Sequence, residues 1–302
     1  MQKITPHLWF DTQAPEAAEF YTSAFREVFE SEAEQSRIKN TATIHNTPSG
    51  SVDIVTIDLL GYEFQMISAG PLFTFNPSIS FVVACRTEAE VDALWEKLSP
   101  GSISLMELGA YPFSKRYAWL QDRFGLSWQI MFMGEIPVTQ RIIPVTMFVG
   151  KVYGQARSAV EFYTSLFPNS EIGMVLEYGE GEEPDKAGTI KHVNFALAGQ
   201  KFGAMDSALP HDFGFNEAIS FIVHCDTQEE IDFYWEKLSA VPEAEQCGWL
   251  KDKFGLSWQI VPTSMDEIMN QNDPEKIDRV TQAFLKMKKF DIAKLKEAAD
   301  SK

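Results

Sequence analysis

Apolar positions along the chain follow two periods that alternate in a fixed order. Residues 5–10 form a short β-rich run, and residues 14–25 then place Ala17, Phe20, Tyr21, Ala24 and Phe25 at helical spacing. Residues 52–59 and 62–68 flank Leu60-Gly61, which predicts two strands joined by a tight turn. The pattern then restarts. Residues 78–85 read as an apolar strand, Thr87 with Glu90 forms a capping box, and Val91, Leu94, Trp95 and Leu98 share one face of the helix it opens. Residues 117–120 and 126–132 read as strands about the turn Asp122-Arg123-Phe124-Gly125.

The whole arrangement occurs twice. Phe20-Tyr21-Thr22-Ser23-x-Phe25 returns as Phe162-Tyr163-Thr164-Ser165-x-Phe167. Ile79-Ser80-Phe81, followed by Cys85, Thr87, Glu90 and Trp95-Glu96-Lys97-Leu98, returns as Ile219-Ser220-Phe221, Cys225, Thr227, Glu230 and Trp235-Glu236-Lys237-Leu238. Trp119-Leu120-x-Asp122-x-Phe124-Gly125-Leu126-Ser127-Trp128-Gln129-Ile130 returns at Trp249 to Ile260. A repeat of this size is a duplicated domain, with copies at 1–135 and 142–264 and a helical tail at 265–302. Copy one carries about ten extra residues between Leu98 and Trp119, expected as a loop or lid. In the tail, Asp273-Pro274 supplies an N-cap and a first-turn proline, opening a helix with Ile277, Val280, Phe284 and Met287 on one side. Its expected role is an amphipathic brace across one domain.

Charge narrows the partners. With 26 Lys+Arg against 43 Asp+Glu the formal net charge is -17, which repels phosphate backbones and anionic lipids, so neither nucleic acid nor membrane is expected as a partner. The chain shows no apolar run of bilayer length and no secretory pattern at its start, and a cytoplasmic location is expected. Cys85, Cys225 and Cys247 form no CxxC pair and are expected as reduced thiols, the first two in the core. His45, His192 and His211 lie in polar surroundings and read as solvated, and His224 as surface or packing.

The doubled βαβββ pattern closing on Asp122-x-Phe124-Gly125-Leu126-x-Trp128-Gln129-Ile130 resembles the vicinal oxygen chelate superfamily, which includes glyoxalase I, bleomycin resistance proteins and extradiol dioxygenases. More narrowly, Ile4-Thr5-Pro6-x-Leu8-Trp9-Phe10-Asp11, Phe75-Asn76-Pro77, the run from Cys247 to Pro262 and the tail Lys286-Met287-Lys288-Lys289-Phe290-Asp291-Ile292 are similar to its PhnB-like branch, also described as 3-demethylubiquinone-9 3-methyltransferase-like. The resemblance implies an α+β fold of two tandem domains, each of two βαβββ units forming a curved mixed-sheet cup, plus the C-terminal helical tail. Whether units pair within a copy, between copies or between chains stays open, and shared edges also support a homodimer.

In that superfamily, the resemblance implies, metal ligands stand on the inner wall of the cup. Those positions fall on His7, near Ser78 and on Gln129 in copy one, and on Val145, near Ala218 and on Gln259 in copy two. A divalent cation needs three or more His, carboxylate or thiolate donors, and only His7 qualifies, as a weak candidate. The expectation is no cofactor, with a divalent metal in copy one as the minor alternative. Strand parity groups His7 with Trp9, Ser78 with Ser80, and Ser127 with Gln129 in copy one. In copy two it groups Val145 with Met147, Ala218 with Ser220, and Ser257 with Gln259, while Trp119 and Trp249 serve as pocket walls. Val145 and Ala218 aside, these are the expected ligand-binding residues, suited to a small, mostly apolar, planar molecule.

Three functional classes remain. The first is a small-molecule-binding protein whose metal site is lost or weakened. The second is a metal-dependent enzyme in copy one, with His7 helping to polarise a vicinal dioxygen substrate. The third is a non-catalytic interaction protein in which one cup is filled. Methyl transfer finds no support, because no Gly-rich strand-to-helix turn with a following acidic ribose ligand is present. Gly179-Glu180-Gly181-Glu182-Glu183 is acidic and reads as a hairpin tip.

Overall fold

A computed structural model describes residues 2–269 and 273–301. Four similar units follow one another. The first holds β1 (Ile4–Phe10), α1 (Ala14–Val28), β2 (Arg37–Thr47), β3 (Gly50–Leu59) and β4 (Tyr62–Ser68). The second holds β5 (Ile79–Cys85), α2 (Glu88–Leu98), β6 (Ile103–Tyr111), β7 (Ser114–Gln121) and β8 (Ser127–Phe132). The third holds β9 (Ile142–Phe148), α3 (Ala156–Leu166), β10 (Glu171–Glu177), β11 (Ile190–Leu197) and β12 (Gln200–Asp206). The fourth holds β13 (Ile219–Cys225), α4 (Gln228–Leu238), β14 (Trp249–Lys251) and β15 (Ser257–Pro262). The tail adds α5 (Thr263–Met269), α6 (Pro274–Phe284) and α7 (Ile292–Asp300).

Local chemistry sets many of these boundaries. The Thr87 hydroxyl accepts from the Glu90 amide at 3.1 Å, and the Glu90 carboxylate reaches back to the Arg86 amide at 2.6 Å. Thr227, Glu230 and Asp226 repeat the arrangement at the start of α4. Leu60 and Gly61 both take positive φ, 52° and 77°, which matches the right-handed twist of the strands they join. Asp273 caps α6 by accepting from the Lys276 amide at 3.0 Å.

The copy-one insert is not a loop. Its residues form the edge strand β6, paired antiparallel with β7 through several register shifts. Copy two lacks this strand, so one sheet has eight strands and the other seven. The mostly exposed edge strand β2 has no clean apolar alternation and gave no pattern to read from sequence.

Pairing of the units runs between copies. The seven-stranded sheet, β14-β15-β13-β1-β4-β3-β2, joins the first unit to the fourth, and the eight-stranded sheet, β10-β11-β12-β9-β5-β8-β7-β6, joins the second to the third. Antiparallel contacts make both joins, with His7 opposite Ser220 and Ser80 opposite Val145. Within copy one, α1 packs against α2, holding the first two units helix to helix. Their β1 and β5 edges are thereby free to take strands from copy two. One continuous apolar core runs through both copies and receives Val280, Phe290 and Leu295 from the tail. Among the described residues no helix is long and apolar enough to cross a membrane.

Candidate functional site

Each copy is fastened internally by a buried carboxylate. Asp122 accepts from the Tyr21 hydroxyl at 2.6 Å, the Trp128 indole at 2.9 Å, and the amides of Phe124 and Leu126 at 2.8 and 3.1 Å. Asp252 does the same with Tyr163, Trp258, Phe254 and Leu256. Burial raises the carboxyl of Asp122, the four donated hydrogen bonds oppose that rise, and the Tyr21 phenol is pushed well above its ordinary range. All four partners of each aspartate donate, so the group is a structural anchor. The repeated Asp-x-Phe-Gly-Leu-Ser-Trp run signals this lock, which a reading of Asp122 as a plain turn residue missed.

Cross-copy pairing regroups the candidate residues. The resemblance places His7 and Gln129 together as copy-one positions, but His7 shares the seven-stranded cup with Ser220, Gln259, Ser257, Trp249 and Trp9. The eight-stranded cup holds Ser80, Gln129, Ser127, Trp119, Val145 and Met147. The restart-strand positions also move. Ser80 and Ser220, not Ser78 and Ala218, stand opposite Val145 and His7. Ser78 lies at the strand entry, where its hydroxyl donates to the Gly214 carbonyl at 3.2 Å.

In the eight-stranded cup the polar floor is a chain of neutral groups. The Tyr117 hydroxyl donates to Gln129 Oε1 at 2.7 Å, and Gln129 Nε2 donates to Ser80 Oγ at 2.8 Å. The Trp119 indole donates to Ser127 Oγ at 2.8 Å. His192, which reads as solvated in the sequence, lies at the cup wall instead. Burial lowers its pKa, its Nε2 meets Asn194 Oδ1 at 2.8 Å, and its ring borders Gly203. The His192-x-Asn194 alternation within β11 is the signal that could have placed it there. Edge strands β6 and β10 carry exposed Leu105, Met174 and Leu176, and exposed Phe113 packs edge-on against Tyr117.

The seven-stranded cup is built differently. His7 is buried, and burial lowers its pKa to about 3, so it is neutral. Its Nδ1 has no partner among the described residues, and its ring meets Trp249 edge to face at 5.4 Å. Trp249 also contacts Trp9, whose indole donates to the Gly70 carbonyl at 2.8 Å. Trp249 therefore turns towards His7, whereas its counterpart Trp119 bonds a serine. Gln259 Nε2 donates to Ser220 Oγ at 3.0 Å, and Ser257 Oγ is unpartnered among the described residues. Register adds Gln65 beside His7, a residue the sequence reading missed although β4 alternates clearly.

The inner-wall quartets are thus His7, Gln65, Ser220 and Gln259 in one cup, and Val145, Gly203, Ser80 and Gln129 in the other. Neither contains a carboxylate or thiolate. One imidazole with amides and a hydroxyl does not fit a tight divalent-metal site. Among the described residues no three His, Cys, Asp or Glu side chains group as a metal site. Cys85 and Cys225 are buried with thiols raised by burial, and half-buried Cys247 is raised for the same reason.

A family model described as 3-demethylubiquinone-9 3-methyltransferase matches residues 2–131 and again 140–261. A Bacillus cereus protein described as a putative 3-demethylubiquinone-9 3-methyltransferase, PhnB protein, is 40% identical over 43% of this chain and 99% of its own, with a TM-score of 0.38. Glyoxalase I from Zea mays is 10% identical, with a TM-score of 0.51 over 86% of this chain and 94% of its own, a likeness of fold alone. No curated protein matches the chain.

Proposed function

Since the chain belongs to the 3-demethylubiquinone-9 3-methyltransferase family, as a tandem, PhnB-like form on the vicinal oxygen chelate fold, we propose that it binds a small, uncharged, largely aromatic molecule without a resident metal. The carrying observation is the donor set. Eight inner-wall positions, where relatives would grip a cation, hold amides, hydroxyls, one imidazole and two groups without donors. Such a set suits hydrogen bonding to a neutral ligand, and the apolar rim of the eight-stranded cup favours that cup as the working one. Gln129 retains one free amide hydrogen and a second lone pair after its bonds to Ser80 and Tyr117. Trp119 walls the ligand. Methyl transfer has no part in this reading, because none of the strand-to-helix turns carries the glycine pattern that a nucleoside cofactor needs.

The test is elemental mass spectrometry on full-length protein from metal-supplemented medium, with a thermal-shift screen of neutral mono- and bicyclic aromatics. Substoichiometric metal and a shift that Gln129→Leu abolishes are expected. One equivalent of bound zinc, nickel or iron, or no shift with any compound, would overturn the reading.

A further inference from the structure

The tail is tied to both edges of the seven-stranded cup. Asp278 Oδ1 on α6 accepts from Asn46 Nδ2 at 3.0 Å, and Gln282 Nε2 donates to the Asn46 carbonyl at 3.2 Å. Asn46 lies at the end of β2, one edge of the seven-stranded sheet. A few residues on, the Met287 and Lys288 carbonyls accept from the amides of Cys247 and Gly248 at 2.9 and 2.8 Å. Those residues lead into β14, the opposite edge. Lys288 adds an ion pair with Glu245 on the same side.

The two edges are six strand spacings apart, about 29 Å along the sheet at ~4.8 Å per spacing. From Gln282 to Met287 the backbone stays wound, with Leu285, Lys286 and Met287 amides bonded to Thr281, Ala283 and Phe284, so it advances only about 8 Å at 1.5 Å per residue. A path over the outer face would have to follow the sheet and clear the helices packed there. The short span fits only across the mouth of a curled sheet. Val280 and Thr281 of α6 are fully buried, and the Thr281 hydroxyl has no partner among the described residues.

We propose that α6 and the segment following it form a strap, tied to both rims of the seven-stranded cup, whose release governs access to His7, Gln259 and Ser220. It rests on the binding reading and extends it by making the seven-stranded cup gated. The ties to Asn46 and Glu245 are exposed side-chain contacts, and lifting the strap uncovers Val280 and Thr281 without breaking a strand pairing of the sheet.

Reaction of His7 with diethyl pyrocarbonate in the full chain, mapped by peptide mass spectrometry with exposed His45 as internal reference, tests this without any ligand. A failed ligand screen and a failed strap are therefore distinguishable. Removing both β2-side ties with Asp278→Ala and Gln282→Ala is expected to raise His7 modification about tenfold relative to His45, the equivalent of two hydrogen bonds of modest net strength. Gly248→Ala loosens the other rim, because a Cβ there would stand 2.6 Å from the Phe290 ring, and is expected to act in the same direction. Native His7 reacting as fast as His45, or no change in either variant, would overturn the proposal.

Discussion

His7 carries the sharpest consequence of the closed cup. In the unfolded chain its imidazole titrates near its ordinary 6.5, whereas in the native protein burial holds the pKa at about 3. Between those values the unfolded state binds the extra proton, so stability must fall as pH falls, by about 1.4 kcal/mol per pH unit. From pH 7.5 to pH 4.5 the loss attributable to His7 is roughly 2.5 kcal/mol, and it is complete only below pH 3. His7→Gln has no proton to exchange there. The measurement is the difference in urea unfolding free energy between the native sequence and His7→Gln at the two pH values. Taking the difference cancels the carboxylates and the other histidines, including His192 and His211, which burial also lowers. A difference that stays constant with pH would mean that His7 is solvated or partnered in solution, and the closed-cup account would fail.

Tyr21→Phe leaves Asp122 with three of its four donors and should cost about 1.5–3 kcal/mol, with Tyr163→Phe costing a similar amount at Asp252. Urea midpoints read this, and a loss below ~0.5 kcal/mol in both variants would remove the aspartates' role as anchors. Gln65→Glu combined with Gln259→Glu places two carboxylates in the His7 quartet, which completes the three donors a divalent cation needs, and is expected to create measurable nickel or zinc binding by calorimetry. Unchanged titrations would show that the quartet does not converge. At Gly203 a Cβ would stand 3.0 Å from Val145 and 3.3 Å from His192, so Gly203→Ala should narrow the eight-stranded cup and weaken any ligand found by the screen about tenfold, or ~1.4 kcal/mol. An unchanged Kd would place the ligand elsewhere.

The duplication, the strand-helix order within each copy, the capping boxes at Thr87 and Thr227 and the capped helix at Asp273 were all legible in the residues, because each depends on local periodicity or on contacts a few positions apart. The neutral character of the inner walls was legible too, since Val145, Gln129 and Gln259 cannot change their chemistry on folding. Which residues meet was another matter. Nothing within copy one distinguishes an edge of β1 that accepts β13 from one that accepts a strand of its own copy, because the apolar alternation satisfies either pairing. The choice came from the buried faces of α1 and α2, the Tyr21–Asp122 lock and the reach of the connection between copies, which together set His7 beside Gln259 and left Gln129 across the molecule. The depressed pKa of His7, the wall position of His192 and the tie of α6 to both rims arise in the same way. Each is a sum of contacts among segments far apart in the chain, and neither residue type nor spacing encodes it.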